Sequence, residues 1–166
     1  MRIHRYFGVD LAWGLGLPHP VTGRIKKANE TGLCLLDATG RILDAGWERG
    51  PDAVFAWIDR QLQPGDVIAI DAPLIVPNPT GMRECEREVG RGYGRWKVGA
   101  NASNQALASR AGAVLLDLLE TRGVAYTDGT APPTPGQSVA FECTPTRPSS
   151  ASTSSATTSS GRATSG

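Results

Sequence analysis

Three carboxylates stand where carboxylates are costly. Asp10 lies inside an apolar segment, Arg5 to Trp13, in which Phe7, Val9 and Leu11 share one face of a strand and Gly8, Asp10 and Ala12 the other. Asp71 closes Val67-Ile68-Ala69-Ile70, and Glu142 closes Val139-Ala140-Phe141. Asp is disfavoured within strands, and an unpaired buried carboxylate is expensive. Sites in open α/β sheets form at the carboxyl ends of strands, so parallel neighbours would bring the three acids to one edge. Crowded carboxylates repel and need a cation to share. Hard oxygen ligands with no His or Cys cluster favour Mg²⁺ or Mn²⁺ over zinc. Two such ions, about 4 Å apart, can hold the attacking and leaving oxygens of a phosphoryl transfer. Asp10, Asp71 and Glu142 are therefore the expected metal ligands and catalytic residues.

Plainer readings stand beside this one. Asp71 before Ala72-Pro73 also fits an Asx-type turn, whereas a mid-strand Asp10 caps nothing. Glu48 reads as an exposed edge residue, and Glu30, Asp37 and Asp44 as solvated turn acids.

Residues 81–97 form a second feature. Arg83, Arg87, Arg91 and Arg95 recur every four residues, Lys97 follows, and Tyr93 and Trp96 are interleaved. Guanidinium groups beside aromatic rings suit phosphate contact and base stacking, which makes the four arginines candidate substrate-phosphate contacts. Glu84, Glu86 and Glu88 cancel much of the charge, so a solvated helix laced with side-chain pairs is the alternative. Other signatures are missing. There is no Walker A sequence, no GxSxG elbow and no dinucleotide fingerprint, since Leu17-Pro18 follows Gly14-Leu15-Gly16. Cys85 has no plausible His partner, and Cys34, Cys85 and Cys143 form no CxxC pair, so neither a disulfide framework nor a zinc ribbon is expected.

The elements that must position these residues alternate in type. Strands are expected at 5–13, 32–37, 41–48, 67–70 and 139–142. Ala38-Thr39-Gly40 makes an antiparallel hairpin of the second and third. Val54, Phe55, Ile58 and Leu62 predict a helix over 52–63, stopped by Pro64-Gly65. The apolar run 67–70 reads as a central strand covered on both faces. A short helix is expected near 82–89, and a long one over 104–122 carrying Leu107, Ala111, Val114, Leu115, Leu118 and Leu119, before Gly123. A meander followed by strand–helix–strand crossovers gives an α/β fold: a mixed five-stranded sheet with helices packed on it.

The chain of 166 residues is 40 % hydrophobic with a net charge of +1, enough for one core and no sign of a strongly basic nucleic-acid binder. No stretch has the apolar length of a bilayer span and the start lacks a signal-like apolar region, so a cytoplasmic protein without membrane contact is expected. A domain over 1–143 is followed by a different kind of sequence. From Thr144 to Gly166 only Ser, Thr, Ala, Pro, Arg and Gly occur. Read as written, 144–166 is a disordered tail. A second reading is a frameshift near Glu142–Cys143. All of these residues have codons with C or G in second place, as a GC-rich gene gives when read out of frame. Taking the last base of each written codon with the first two of the next turns TCN serines into Phe, Leu, Ile or Val. Threonines become Tyr, His, Asn or Asp, and 143–146 can read Tyr-Pro-His.

Gly8-Val9-Asp10-Leu11-Ala12 resembles the first strand of RNase H-like proteins. Together with Thr31-Gly32-Leu33, Ile70-Asp71-Ala72-Pro73-Leu74, 83–88 (Arg-Glu-Cys-Glu-Arg-Glu) and 99–104 (Gly-Ala-Asn-Ala-Ser-Asn), residues 5–142 resemble the domain-of-unknown-function 429 family. That resemblance implies an RNase H-like fold and a predicted nuclease. It maps Asp10 onto the first-strand ligand, Asp71 onto the fourth-strand acid and Glu142 onto the acid after the fifth strand. Such proteins continue with a Glu-x-Tyr-Pro-His segment and further helices, from which the written chain departs. The leading expectation is a Mg²⁺- or Mn²⁺-dependent nuclease acting on DNA or RNA. The alternatives are an inactive, truncated remnant and, further off, an actin-like ATPase or sugar kinase, which needs a second domain for its nucleotide.

Overall fold

The computed structural model describes residues 5–12, 21–24, 28–97, 99–106 and 110–143. The expectations that fall on Trp13, on Leu107 and on the tail 144–166 lie outside them. Six strands and three helices follow one another: β1 (Tyr6–Asp10), β2 (Glu30–Leu36), β3 (Ile42–Arg49), α1 (Pro51–Asp59), β4 (Val67–Ile70), α2 (Glu84–Tyr93), α3 (Ala111–Glu120), β5 (Ala125–Tyr126) and β6 (Val139–Glu142), with a 3₁₀ turn over Gly94–Trp96 after α2. They form one mixed sheet in the order β3-β2-β1-β4-β6-β5. The strands β1, β2 and β3 are antiparallel neighbours, whereas β1, β4, β6 and β5 run parallel. The α/β class and the mixed sheet are as expected. The sixth strand, β5, is a two-residue addition on the edge, too short to show a period.

One face of the sheet carries the core. Phe7, Val9, Leu33, Leu35, Ile68, Ile70 and Ala140 pack there beneath α1 and α3, which contribute Val54, Trp57, Ile58, Leu115 and Leu119. Pro51 at the first helical position starts α1. Gly46 of β3 leaves room for Trp57; a Cβ there would stand 3.3 Å from the indole nitrogen. The Trp57 ring meets Phe7 edge-on at 6.0 Å. Along β4 only Ile68 and Ile70 are buried, while Val67 and Ala69 are half-buried on the opposite face. The expectation of cover on both faces is therefore not met among the described residues: both packed helices lie on one side.

Two further boundaries differ from expectation. Asp10 is the last residue of β1 rather than a mid-strand residue. The helix α3 begins at Ala111 rather than at Asn104. Residues 104–106 bond elsewhere: the Gln105 and Ala106 N–H groups donate to the Asn78 and Pro79 carbonyls, and the Asn104 amide donates to the Gly81 carbonyl. These tertiary bonds outweigh helix propensity there.

The helix α3 grips the segment after β4 through Gly112. A Cβ on Gly112 would lie 2.3 Å from the Pro73 carbonyl oxygen and 3.2 Å from the Ala72 Cβ. That contact fixes the backbone directly behind Asp71. Gly112→Ala gains at most about 1 kcal/mol of helix propensity and loses about 1–3 kcal/mol to overpacking. A net loss of stability is expected, read as a lower urea midpoint at unchanged slope; a midpoint at or above the parent's would show that the contact is slack.

Candidate active site

The expected convergence of acids is met in its topology. The strands that carry them, β1, β4 and β6, are adjacent and parallel, with Val9 opposite Ile70 and Ile70 opposite Glu142. Asp71 continues the ladder, its N–H donating to the Val9 carbonyl at 2.8 Å, and the Cys143 N–H donates to the Ile70 carbonyl at 2.9 Å. Beyond Asp10 the chain is held by Thr31, fully buried, whose Oγ1 accepts the Ala12 N–H at 3.0 Å.

Strand alternation then divides the three acids. Asp10 and Asp71 share the face opposite the core, in a row that crosses the sheet as Trp47, Gly32, Asp10, Asp71 and Cys143. Behind it runs a second row, Ala45, Cys34, Gly8, Ala69 and Phe141. Both rows, apart from Phe141, line a shallow trough of about 710 Å³. Trp47 is 70 % exposed, and its ring lies 3.4 Å from where a Gly32 Cβ would be. A second cleft, about 380 Å³ and lined by Arg83, Glu86, Asn101, Ser103 and Glu142 among others, reaches Asp71 from the other side.

Asp10 is exposed and Asp71 half-buried. Among the described residues no hydrogen bond reaches either carboxylate, so Asp71 forms no Asx turn. Burial pushes the Asp71 carboxyl above its ordinary value, and the Asp10 and Glu142 charges push it further. Burial, and then the Asp71 charge, likewise raise the Cys143 thiol.

Glu142 is engaged differently. Arg83 grips it as a fork, Nη1 donating to Oε2 at 2.8 Å and Nη2 to Oε1 at 2.6 Å, while the Leu74 N–H donates to Oε2 at 3.2 Å. The same guanidinium donates from Nε to buried Glu86 at 2.7 Å. Glu86 also accepts the Arg83 and Ser103 N–H groups at 2.9 and 3.0 Å. Burial raises the Glu86 carboxyl, but the bonds from Ser103 and Arg83 outweigh it and hold the group below its usual range. The bonds to Glu142 raise the Arg83 guanidinium, against burial. Among the described residues no group of three or more His, Cys, Asp or Glu is arranged to hold a metal ion. Asp10 and Asp71 offer a hard cation free oxygens; Glu142 offers them only if Arg83 lets go.

The remaining arginines lie along α2 and the turn after it. Arg87 pairs with Glu84, and Arg91 with Glu84 and Glu88, all exposed. Arg95 lies 3.7 Å above the Trp96 ring. This is the solvated, ion-paired helix that the interleaved glutamates allow. Spacing along one helix carried no sign of the Arg83 fork, whose partner is 59 positions away. Trp47 was missed as well; its only sequence signal is an aromatic residue beside Glu48 near the end of a strand.

The mixed sheet with helices on one face defines an α/β protein, and it places at the carboxyl ends of adjacent parallel strands two acids that accept no hydrogen bond among the described residues. The family model described as "Protein of unknown function (DUF429)" matches residues 8–145, and the chain belongs to that family. No curated protein and no solved structure matches the chain.

Two outcomes follow from this geometry. Because its carboxyl is raised in the fold, Asp71 favours folding when neutral at low pH and costs stability once pH rises through the raised value. Asp71→Asn should therefore melt a few degrees above the parent at pH 7, with the gap closing as pH falls towards 3.8, the ordinary value; scanning fluorimetry across that range reads it, and a pH-independent gap would refute the cause. Arg83→Met strands Glu86, which is 3 % exposed, beside Glu142. A loss of about 3–5 kcal/mol in chemical denaturation is expected for breaking such a buried pair.

Proposed function

We propose that the protein is a divalent-metal-dependent nuclease. The observation that carries the reading is the side-by-side placement of Asp10 and Asp71 facing the trough, neither carboxylate hydrogen-bonded among the described residues, with the Asp71 carboxyl pushed up by burial and then by the Asp10 and Glu142 charges. Carboxylate oxygens and the absence of a His or Cys cluster fit Mg²⁺ or Mn²⁺. Asp10 and Asp71 would hold the ion, which when bound supplies Lewis-acid stabilisation of a phosphoryl oxygen and an activated water.

The chain's own residues supply the rest. Exposed Trp47, in the same row as Asp10, offers a flat face on which a base can stack while its phosphate lies over the acids. Arg87 and Arg91 pair with Glu84 and Glu88 at the surface, pairs worth little each, so they can exchange those carboxylates for backbone phosphates, Arg87 also releasing the Met82 carbonyl. Arg95 with Trp96 adds a cation beside an exposed ring. Arg83 does not join them, since its donors are spent on Glu142 and Glu86. Purified protein with Mn²⁺ or Mg²⁺ should cleave a member of a panel of single- and double-stranded DNA and RNA, and Asp10→Asn should lower that rate at least a hundredfold; cleavage unchanged by Asp10→Asn overturns the assignment.

One observation favours a second reading, an inactive remnant. The Arg83 fork on Glu142 leaves two acids where the resemblance implies three. Calorimetry separates the two: heat of binding at sub-millimolar Mn²⁺, lost in Asp71→Asn, supports the enzyme, and no heat at millimolar metal supports the remnant.

A further inference from the structure

The balance of groups in the trough selects among nucleic acids. Asp10 and Asp71 are the only charged residues among those that line it; no lysine or arginine does. Apart from Trp47, the rest of the lining is small or aliphatic. A polyanion laid here gains nothing from direct neutralisation of its phosphates, the contact on which affinity for a duplex chiefly depends. The one large contact surface left is the indole of Trp47.

The ring is aimed at the acids. Register sets Trp47 opposite Gly32, and Gly32 opposite Asp10. Because Gly32 has no side chain, the outer edge of the indole leans over it. A Cβ built on Gly32 would lie 3.4 and 3.6 Å from two carbons of that edge and 3.7 Å from the Asp10 Cβ. Measured through that one point, the ring edge stands within about 7 Å of the Asp10 Cβ. A single sugar bridges such a span between a base and its phosphate. The ring is 70 % exposed, and β3, which carries it, is the edge strand, so a polynucleotide can leave past it.

Pairing decides which nucleic acid can use this ring. Inside a duplex each base is paired and stacked above and below, and turning it out costs energy. An unpaired base already presents its face, and stacking on an aromatic ring is the sequence-tolerant contact of single-strand binders.

We propose that Trp47 is a specificity-determining residue that takes an unpaired nucleobase beside the phosphodiester held at Asp10 and Asp71, so that the substrate class is single-stranded nucleic acid. The inference rests on the nuclease reading and deepens it. Gly32 is a positioning residue: its missing side chain lets the ring reach towards Asp10. Stacking is blind to the sugar, so the ring itself does not choose between DNA and RNA.

Fluorescence anisotropy on the full chain tests this, with Ca²⁺ present and short labelled single strands of DNA and RNA and a blunt duplex of the same sequence as probes. At least one single strand should bind more tightly than the duplex. Trp47→Ala should weaken that strand about fivefold or more and leave duplex affinity unchanged. Trp47→Phe should recover most of the loss. Gly32→Val, which keeps the indole but pushes it off the row, should weaken the single strand too. A preference for duplex, no loss on the single strand, or an equal loss on both overturns the proposal. On a strand that the parent cleaves, one abasic nucleotide should suppress cleavage at the bond beside it; undiminished cleavage there overturns the placement of the base. The two readings fail separately. Cleavage lost in Asp10→Asn with single-strand binding indifferent to Trp47 overturns this inference and leaves the nuclease standing. A Trp47-dependent preference for single strands with no cleavage in Mg²⁺ or Mn²⁺ supports the base platform and overturns the nuclease instead.

Discussion

Two like charges on adjacent parallel strands set the terms for this fold. Asp10 and Asp71 are brought together by backbone pairing, not by any attraction of their own. The ladder from Val9 to Ile70 and the Asp71 N–H bond fix their spacing. Their repulsion, with the burial of Asp71, opposes that spacing at neutral pH. The scaffold must therefore over-determine the positions. It does so from three directions: Thr31 holds the chain after Asp10, Gly112 lets α3 clamp Ala72-Pro73, and the Leu74 N–H is tied to Glu142. A sheet that tolerates such strain at one edge while filling its core with Phe7, Ile68, Ile70 and Leu115 has the usual division between a stable body and a costly site.

The network around Arg83 solves a related problem by the opposite means. Glu86 is nearly inaccessible and Glu142 half-buried, yet the guanidinium fork and the N–H groups of Arg83, Ser103 and Leu74 give their oxygens donors. Planar guanidinium geometry lets one cation grip Glu142 with a two-pronged fork and still donate from Nε to Glu86, an arrangement that a lysine ammonium cannot reproduce. The consequence is a link between β6 and the start of α2. The helix α2 buries only Glu86 along its length. It is held to the body chiefly by charge rather than by an apolar stripe, so what it does at the acid edge depends on that fork.

Much of this was legible from residue types alone. The period-two pattern around Phe7 and Val9, the hairpin at Ala38-Thr39-Gly40 and the helical spacing of Val54 and Ile58 each report a local rule that tertiary packing left intact. The strand-end acids were legible because a carboxylate that closes an apolar run breaks that rule. What could not be read was long-range. Asn104 and Gln105 sit in a helix-forming stretch but spend their hydrogen bonds on the loop at 78–81. Arg83 belongs to a regular array of arginines, and only the partner brought by β6 sets it apart. Strand alternation, applied with the register in hand, also separates Glu142 from Asp10 and Asp71; strand order without register cannot do so.

The register has one more consequence. The trough that carries the acid pair and the bare apolar floor are the same surface, so whatever covers the floor also sets the dielectric around Asp10 and Asp71. With water over the row, the repulsion between the two carboxylates is screened and the cost of bringing them together is modest. With an apolar element beside the row, screening falls and the Asp71 carboxyl rises further unless a cation arrives. The attraction of the pair for a divalent ion grows by the same change. Any apolar cover over this floor and any cation held by the pair would thus be coupled through one electrostatic quantity. Trp47, at the far end of the row from Cys143, bounds the space left for a substrate between them. On this argument the acid edge and the open face are not separate features of the molecule but two halves of one site.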